Sequence, residues 1–167
     1  MREWYGNKGV KEVQLINSRK NKYAVRWNFR TKKYENGTED ENDVLFCEEI
    51  FDHKPTLSEI KETINTYYNE QINEKILSGC RWEGNIVWLS QENQLNYKTA
   101  FDTAYQTDGQ NLPVIFKLGT EDNPKYVQFD TVDRLKTFHL HWTNYITSTL
   151  RAGWQLKDST DWTKYEI

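Results

Sequence analysis

In the segment KYAVRWNF, Tyr23, Val25, Trp27 and Phe29 fall on one side, and Ala24, Arg26 and Asn28 on the other. A two-residue period of this kind predicts a half-buried β-strand. VLFCEEIF, Val44 to Phe51, reads as a second strand with less regular alternation, and VKEVQLI, Val10 to Ile16, as a third. Between the first two lies TKKYENGTEDEND, which is charged and carries Asn36-Gly37, so it is expected to be a loop or a long hairpin tip. Together these runs predict a small antiparallel meander with one aromatic face in need of cover.

After Pro55 the period changes. TLSE forms a capping box, in which Thr56 can accept from the backbone N–H of Glu59 while the Glu59 carboxylate reaches back. Leu57, Ile60, Ile64, Tyr67, Tyr68, Ile72 and Ile76 then recur mostly at three- and four-residue spacing, which predicts a helix ending at Ser78-Gly79. In SGCRWEGNIVWLSQENQLNYKTAF, CRW and IVWL flank Glu83-Gly84-Asn85, a turn in which glycine can take positive φ, so Cys80 to Leu89 reads as a tight hairpin. Ser90 stands at an N-cap, and Gln91 to Tyr105 places Tyr97, Phe101, Ala104 and Tyr105 on one side of a helix. VIFKL and KYVQF around GTEDNP predict another hairpin. Asp130 or Thr131 then caps a long helix with Leu135, Phe138, Trp142, Ile146 and Gly153 on one face, ending near Trp154 to Asp158.

The predicted fold class is α+β: an N-terminal antiparallel β-meander, a connecting helix, and a hairpin–helix–hairpin–helix module. Residues 1–55 form the β region, 56–78 the connecting helix and 79–167 the C-terminal module. A chain of 167 residues suits one ordinary domain or two small ones.

Composition sharpens the picture in one respect. Aromatic residues make up 14% of the chain, and Trp and Tyr together outnumber Phe. Both carry a polar handle suited to surfaces that contact proteins or sugars, although they can equally replace aliphatic residues in a small core. The net charge of −3 is spread along the chain. Its one basic cluster, Arg19, Lys20, Lys22, Arg26, Arg30, Lys32 and Lys33, lies on and beside a strand and reads as a solvated face rather than a nucleic-acid site. Cys47 and Cys80 match no metal spacing and sit in apolar settings, which favours buried thiols in a reducing compartment and leaves their pairing open. No apolar run approaches the ~20 residues of a membrane span, and MREWYGNKGV lacks the apolar core of a signal peptide.

The chemistry of the residues names no reaction. His139 and His141 are two apart in a helical period, which turns them to different sides, with His139 near the apolar stripe. His53 reads as a surface turn residue beside Asp52. The acidic run Glu39 to Val44 lacks the spacing of a calcium loop and is expected to be a solvated loop. No phosphate loop, nucleophile elbow or Cys-His pairing is present, so the expectation is a protein that is not an enzyme, with no catalytic, metal or cofactor residues. The candidate contact residues lie near the two ends: Trp4 and Tyr5 in REWYG, Trp162 and Tyr165 in DSTDWTKYEI. Aromatic residues in such polar, non-helical segments suggest docking, either onto the chain's own body or onto a partner.

A resemblance adds to this reading. Ile72-Asn73 in a helix, ILSG (Ile76 to Gly79), Trp82 and Gly84, VWLSQENQ (Val87 to Gln94), LPVIFKLG (Leu112 to Gly119) and AGWQLKDS (Ala152 to Ser159) occur in order over about residues 55–165. In this the chain resembles an uncharacterised domain family of phage and prophage tail-fibre-associated proteins. FDHKPTLSEIK (Phe51 to Lys61) resembles the segment preceding that domain in phages of anaerobic gut bacteria. At Cys80 the chain departs from the family, which often has Phe there. The resemblance implies a virion or virion-assembly protein without known catalytic residues, made in the host bacterial cytoplasm. The expected function is therefore structural: a tail- or fibre-associated virion protein that docks larger components through aromatic-rich interfaces, with residues 1–55 as the partner-specific part. Expected partners are other virion proteins and further copies of the chain in a symmetric assembly. The alternatives are a host-glycan-binding module of the virion, which would engage surface polysaccharide, and an assembly chaperone absent from the finished particle. A small hydrolase has no nucleophile or metal pattern behind it.

Overall fold

The computed structural model describes residues 3–34 and 38–167, and its architecture is mixed α+β. Asn36-Gly37, the expected hairpin tip, lies outside the described residues. The chain forms two compact units, residues 1–68 with 159–167 and residues 69–158.

In the first unit, β1 (Glu3–Asn7), β2 (Val13–Asn17), β3 (Lys22–Lys33) and β4 (Glu39–Phe51) make one antiparallel sheet in the order β1-β4-β3-β2. The meander β2-β3-β4 is the predicted one. Sequence patterning did not foresee β1, which adds to the far side of β4. Of the two readings of the charged stretch, a loop or a long hairpin tip, the pairing agrees with the hairpin, since β3 runs on to Lys33 and β4 starts at Glu39. The acidic run Glu39 to Val44 is therefore strand rather than the expected loop. Charge complementarity supports the extension: the ladder sets Lys33 opposite Glu39, and the Lys33 ammonium lies 2.7 Å from the Glu39 carboxylate.

A bulge corrects a second expectation. Asn28 takes φ 57°, and the β3–β4 register slips between Trp27 and Arg30. Trp27 stays over Cys47 on the covered face, whereas Phe29 meets Phe46 with ring centroids 5.6 Å apart. Phe46 pairs with Trp4 on the opposite face, so Phe29 has changed sides.

Cover for the sheet comes from α1 (Leu57–Leu77). Its capping box forms as read: Thr56 Oγ1 accepts from the Glu59 N–H at 3.3 Å, and Glu59 Oε2 accepts from the Thr56 N–H at 2.7 Å. The Thr56 N–H and the Thr56 hydroxyl, both donating to Glu59 Oε2 at 2.7 Å, together with His53 beside them, hold the Glu59 carboxyl down at about 2. Ile60 and Ile64 pack with Val13, Val25, Trp27, Cys47 and Tyr165 in one core. A 3₁₀ turn, Trp162–Tyr165, delivers Tyr165, whose hydroxyl donates to the Arg26 carbonyl at 3.0 Å. Tyr165→Phe leaves that buried acceptor unpaired. It is expected to cost the first unit about 1 kcal/mol, visible as faster hydrogen exchange in β3 and α1.

The chain passes into the second unit within α1, the segment the sequence treated as a separate connector. There Gly79 ends the helix at φ 80°. β5 (Cys80–Trp82) and β6 (Asn85–Val87) pair across Glu83-Gly84, whose positive φ values of 48° and 81° are those of a primed hairpin turn. Ser90 Oγ caps α2 (Gln91–Gln106) by accepting from the Asn93 N–H at 3.2 Å. β7 (Val114–Gly119) and β8 (Pro124–Phe129) form the next hairpin. Thr131 rather than Asp130 caps α3 (Val132–Asp158), its Oγ1 accepting from the Arg134 N–H at 3.2 Å.

Phe138 is the hub of this unit's core, with Trp82, Tyr97, Phe116 and Phe129 around it at centroid distances of 5.5, 5.2, 5.6 and 4.9 Å. Burial there pushes the Tyr97 phenol up to about 12. Cys47 and Cys80 are both buried free thiols, each within a core. Among the described residues, no helix is long and apolar enough to cross a membrane.

Candidate functional site

The four aromatic residues singled out from the sequence separate into two pairs. Tyr165 is 5% exposed and is a core residue of the first unit, so it offers no face to a partner. Trp162 packs against the same core, with the Lys61 ammonium 5.4 Å from its ring centroid. Of the two destinations the sequence left open, these residues take the chain's own body. Trp4 and Tyr5 do not: they are 47% and 71% exposed.

Their placement follows from β1. Each of its residues pairs one-to-one with β4, from Glu3 opposite Cys47 to Asn7 opposite Asp43, without a bulge. Neighbouring residues of a strand point to opposite faces, so Trp4 stands on one face of the sheet and Tyr5 on the other. Lys32 lies between Tyr5 and Tyr34, its ammonium 4.6 and 4.7 Å from their ring centroids. Glu3 is paired with Arg30. Among the described residues, no strand pairs with the outer side of β1.

The face that carries Trp4 also holds Phe46, Glu48 and Ile50 of β4 and Arg26 of β3. Arg26, expected on a solvated face, is only 8% exposed. Its Nε donates to Glu48 Oε2 at 2.6 Å, its Nη1 to Gln14 Oε1 at 2.9 Å and to the Lys11 carbonyl at 3.2 Å, and its guanidinium lies 5.5 Å from the Phe46 ring centroid. Sequence patterning missed this pairing because Glu48 is 22 residues from Arg26. A charge held by so many partners is positional, and it fixes the strands on either side of it.

The second unit has a cleft of about 270 Å³, lined by Trp88, Asn93, Lys117, Leu118, Thr120 and Glu121. Trp88 lies between β6 and α2. Its Nε1–H donates to the Gly119 carbonyl at 2.7 Å, which fixes the indole while leaving it 38% exposed. Gly119 takes φ 89°, and a Cβ there would stand 2.5 Å from the Asn123 carbonyl oxygen, so only glycine fits the turn that presents this acceptor. Thr120 Oγ1 accepts from the Asn123 N–H at 3.1 Å and closes the same turn. A local signal for Trp88 does exist in the sequence. Val87 and Leu89 alternate inward, which turns the intervening Trp88 outward.

The histidines lie apart, as their spacing requires. His139 stacks on Phe101 with centroids 4.5 Å apart, while His141 meets Trp82 at 5.3 Å. Among the described residues, no group of three or more metal-ligating side chains comes together. Among the described residues, His139 Nδ1 is buried without a hydrogen-bond partner, and burial pushes the imidazole below its ordinary range, with Asp102 pulling it up and Lys98 down. With the folded value below the unfolded one, the unfolded chain takes up the proton more readily as pH falls through the ordinary histidine range. Stability is therefore lost toward acid and unaffected above that range. The melting temperature of the second unit is expected to drop between about pH 7.5 and about pH 5, and His139→Leu to reduce that drop.

No family model matches the chain, and neither does any curated protein or solved structure. The two surfaces are therefore read from their own chemistry.

Proposed function

We propose that this chain is a structural, non-enzymatic component of a phage virion, associated with the tail or fibre, that docks onto neighbouring subunits through β1. The observation that carries the reading is an open, regular edge strand bracketed by an exposed Trp4 on one face and an exposed Tyr5 on the other. Sheet edges are ordinarily protected by lysine, proline, bulges or a covering segment. The other edge, β2, has a register shift between Leu15 and Asn17, whereas β1 has no such break. The single charge in EWYGN, on Glu3, is already paired with Arg30.

An incoming strand would gain ladder hydrogen bonds from the β1 backbone and bury an aromatic ring on each side. A second copy meets these requirements. Antiparallel pairing centred on Tyr5 sets Glu3 opposite Asn7 and Trp4 opposite Gly6, so no like charges face each other and the indole lies over a residue without a side chain. The sequence resemblance to tail-fibre-associated proteins supports the virion setting.

The test is quantitative mass spectrometry of purified particles carrying either the native chain or Trp4→Lys, with light scattering of both isolated chains. A fixed copy number for the native chain, with loss of Trp4→Lys from both particle and oligomer, is the expected result. Absence of the native chain from the particle would overturn the structural reading and leave an assembly factor.

A further inference from the structure

We infer that the Trp88 cleft is a binding site for a neutral pyranose unit of a polysaccharide. This goes beyond the docking role of β1 and concerns the other unit of the chain. The indole is locked in place by its own N–H bond to Gly119, so a flat apolar surface is already held at the cleft without further ordering cost. Around it stand the Asn93 amide, the Lys117 ammonium and the Glu121 carboxylate, whose polar ends have no hydrogen-bond or ion-pair partner among the described residues. The frame behind them is tied by hydroxyl groups that accept from the backbone: Ser90 Oγ accepts from the Asn93 N–H, and Thr120 Oγ1 accepts from the Asn123 N–H in the turn after β7. Leu118, nearly fully buried, anchors the cleft to the core.

The chemistry of the lining selects among ligands. An aliphatic ligand would cover the amide, ammonium and carboxylate without satisfying them. A phosphate or sulfate would meet Glu121, and an amine would meet Lys117, each at the cost of like-charge repulsion. Hydroxyl groups both donate and accept, so vicinal hydroxyls suit a rim that offers donors from Asn93 and Lys117 and acceptors from Asn93 and Glu121. The C–H face of a pyranose then suits the indole. A volume of about 270 Å³ is small for a ligand site and open to solvent, which fits one or two rings of a longer chain. Affinity for one site is expected to be roughly millimolar. Repetition of the chain in an assembly would raise it through multivalency.

Saturation-transfer NMR on the full chain tests this, with soluble malto-, cello-, manno-, galacto- and chito-oligosaccharides each at about 10 mM, above the expected dissociation constant. At least one series is expected to receive saturation at its ring C–H protons. Asn93→Ala and Glu121→Gln, both substitutions at rim positions away from the core, should each weaken binding about 3- to 10-fold, since each removes one or two polar contacts. Trp88→Phe, which keeps an aromatic ring but loses the bond to Gly119, should weaken it at least as much. No transfer from any series overturns the inference, as does binding that Asn93→Ala and Glu121→Gln leave unchanged.

Discussion

Gly79→Ala is expected to destabilise the second unit by about 3 to 4 kcal/mol, in two parts. The first is conformational: Gly79 has φ 80°, and a left-handed backbone costs a residue with a side chain about 1 to 2 kcal/mol. The second is steric. A Cβ at Gly79 would stand 2.2 Å from the Val87 carbonyl oxygen, a backbone atom fixed by the β5–β6 ladder, so the helix end or the hairpin has to move. Gly84 provides the control. It has φ 81°, but a methyl group added there would meet nothing within 4 Å, so Gly84→Ala carries the conformational part alone, about 1 to 2 kcal/mol. Chemical denaturation of the two variants measures the difference. Equal losses would show that the hairpin yields to the extra methyl group.

Phe138→Ala is expected to cost the same unit about 3 to 5 kcal/mol, the range for removing a fully buried aromatic side chain. Phe138 lies within 5.6 Å of four other aromatic rings, counted between centroids, and these rings come from β5, α2, β7 and β8. Such rings are stiff and cannot flow into the void, so the loss belongs near the top of the range. Near-ultraviolet circular dichroism should weaken along with the denaturation midpoint, because Trp82 and Tyr97 both lose their edge-to-face contact. Phe138→Leu, which retains much of the volume, should recover more than half of the stability. A loss below about 1.5 kcal/mol for the alanine variant would mean that the cluster repacks around the gap.

What could be read in the sequence follows the range of the interactions. The Thr56–Glu59 box, the Ser90 cap and the Glu83-Gly84 turn depend on residues within a few positions of one another, and each forms where the sequence places it. So do the helical stripes, since a face is a local property, except that Tyr105, which the pattern sets beside Tyr97, Phe101 and Ala104, is 65% exposed at the end of α2. The features that periodicity could not show depend on partners far along the chain. β1 pairs with β4 after skipping two strands, and nothing within EWYGN specifies that partner. Arg26 looks like a solvated strand residue until Glu48 and Gln14 arrive beside it. Phe29 changes face because one residue, Asn28, leaves the extended conformation, and strict alternation has no means of registering an extra residue. The Trp88 cleft draws on residues 88, 93 and 117–121, segments that only tertiary structure brings together.

The position of Tyr165 also sets a schedule. Its hydroxyl meets the Arg26 carbonyl across 139 residues of chain, and all of the second unit lies in between. During synthesis at roughly 5 to 20 residues per second, the sheet of the first unit leaves the ribosome early but waits several seconds for the residue that completes its core. Residues 69–158 are released as an uninterrupted stretch and can finish folding while the older sheet is still incomplete. The nascent protein is thus expected to mature from its middle outward, and its earliest strands to be the ones most in need of a chaperone's protection.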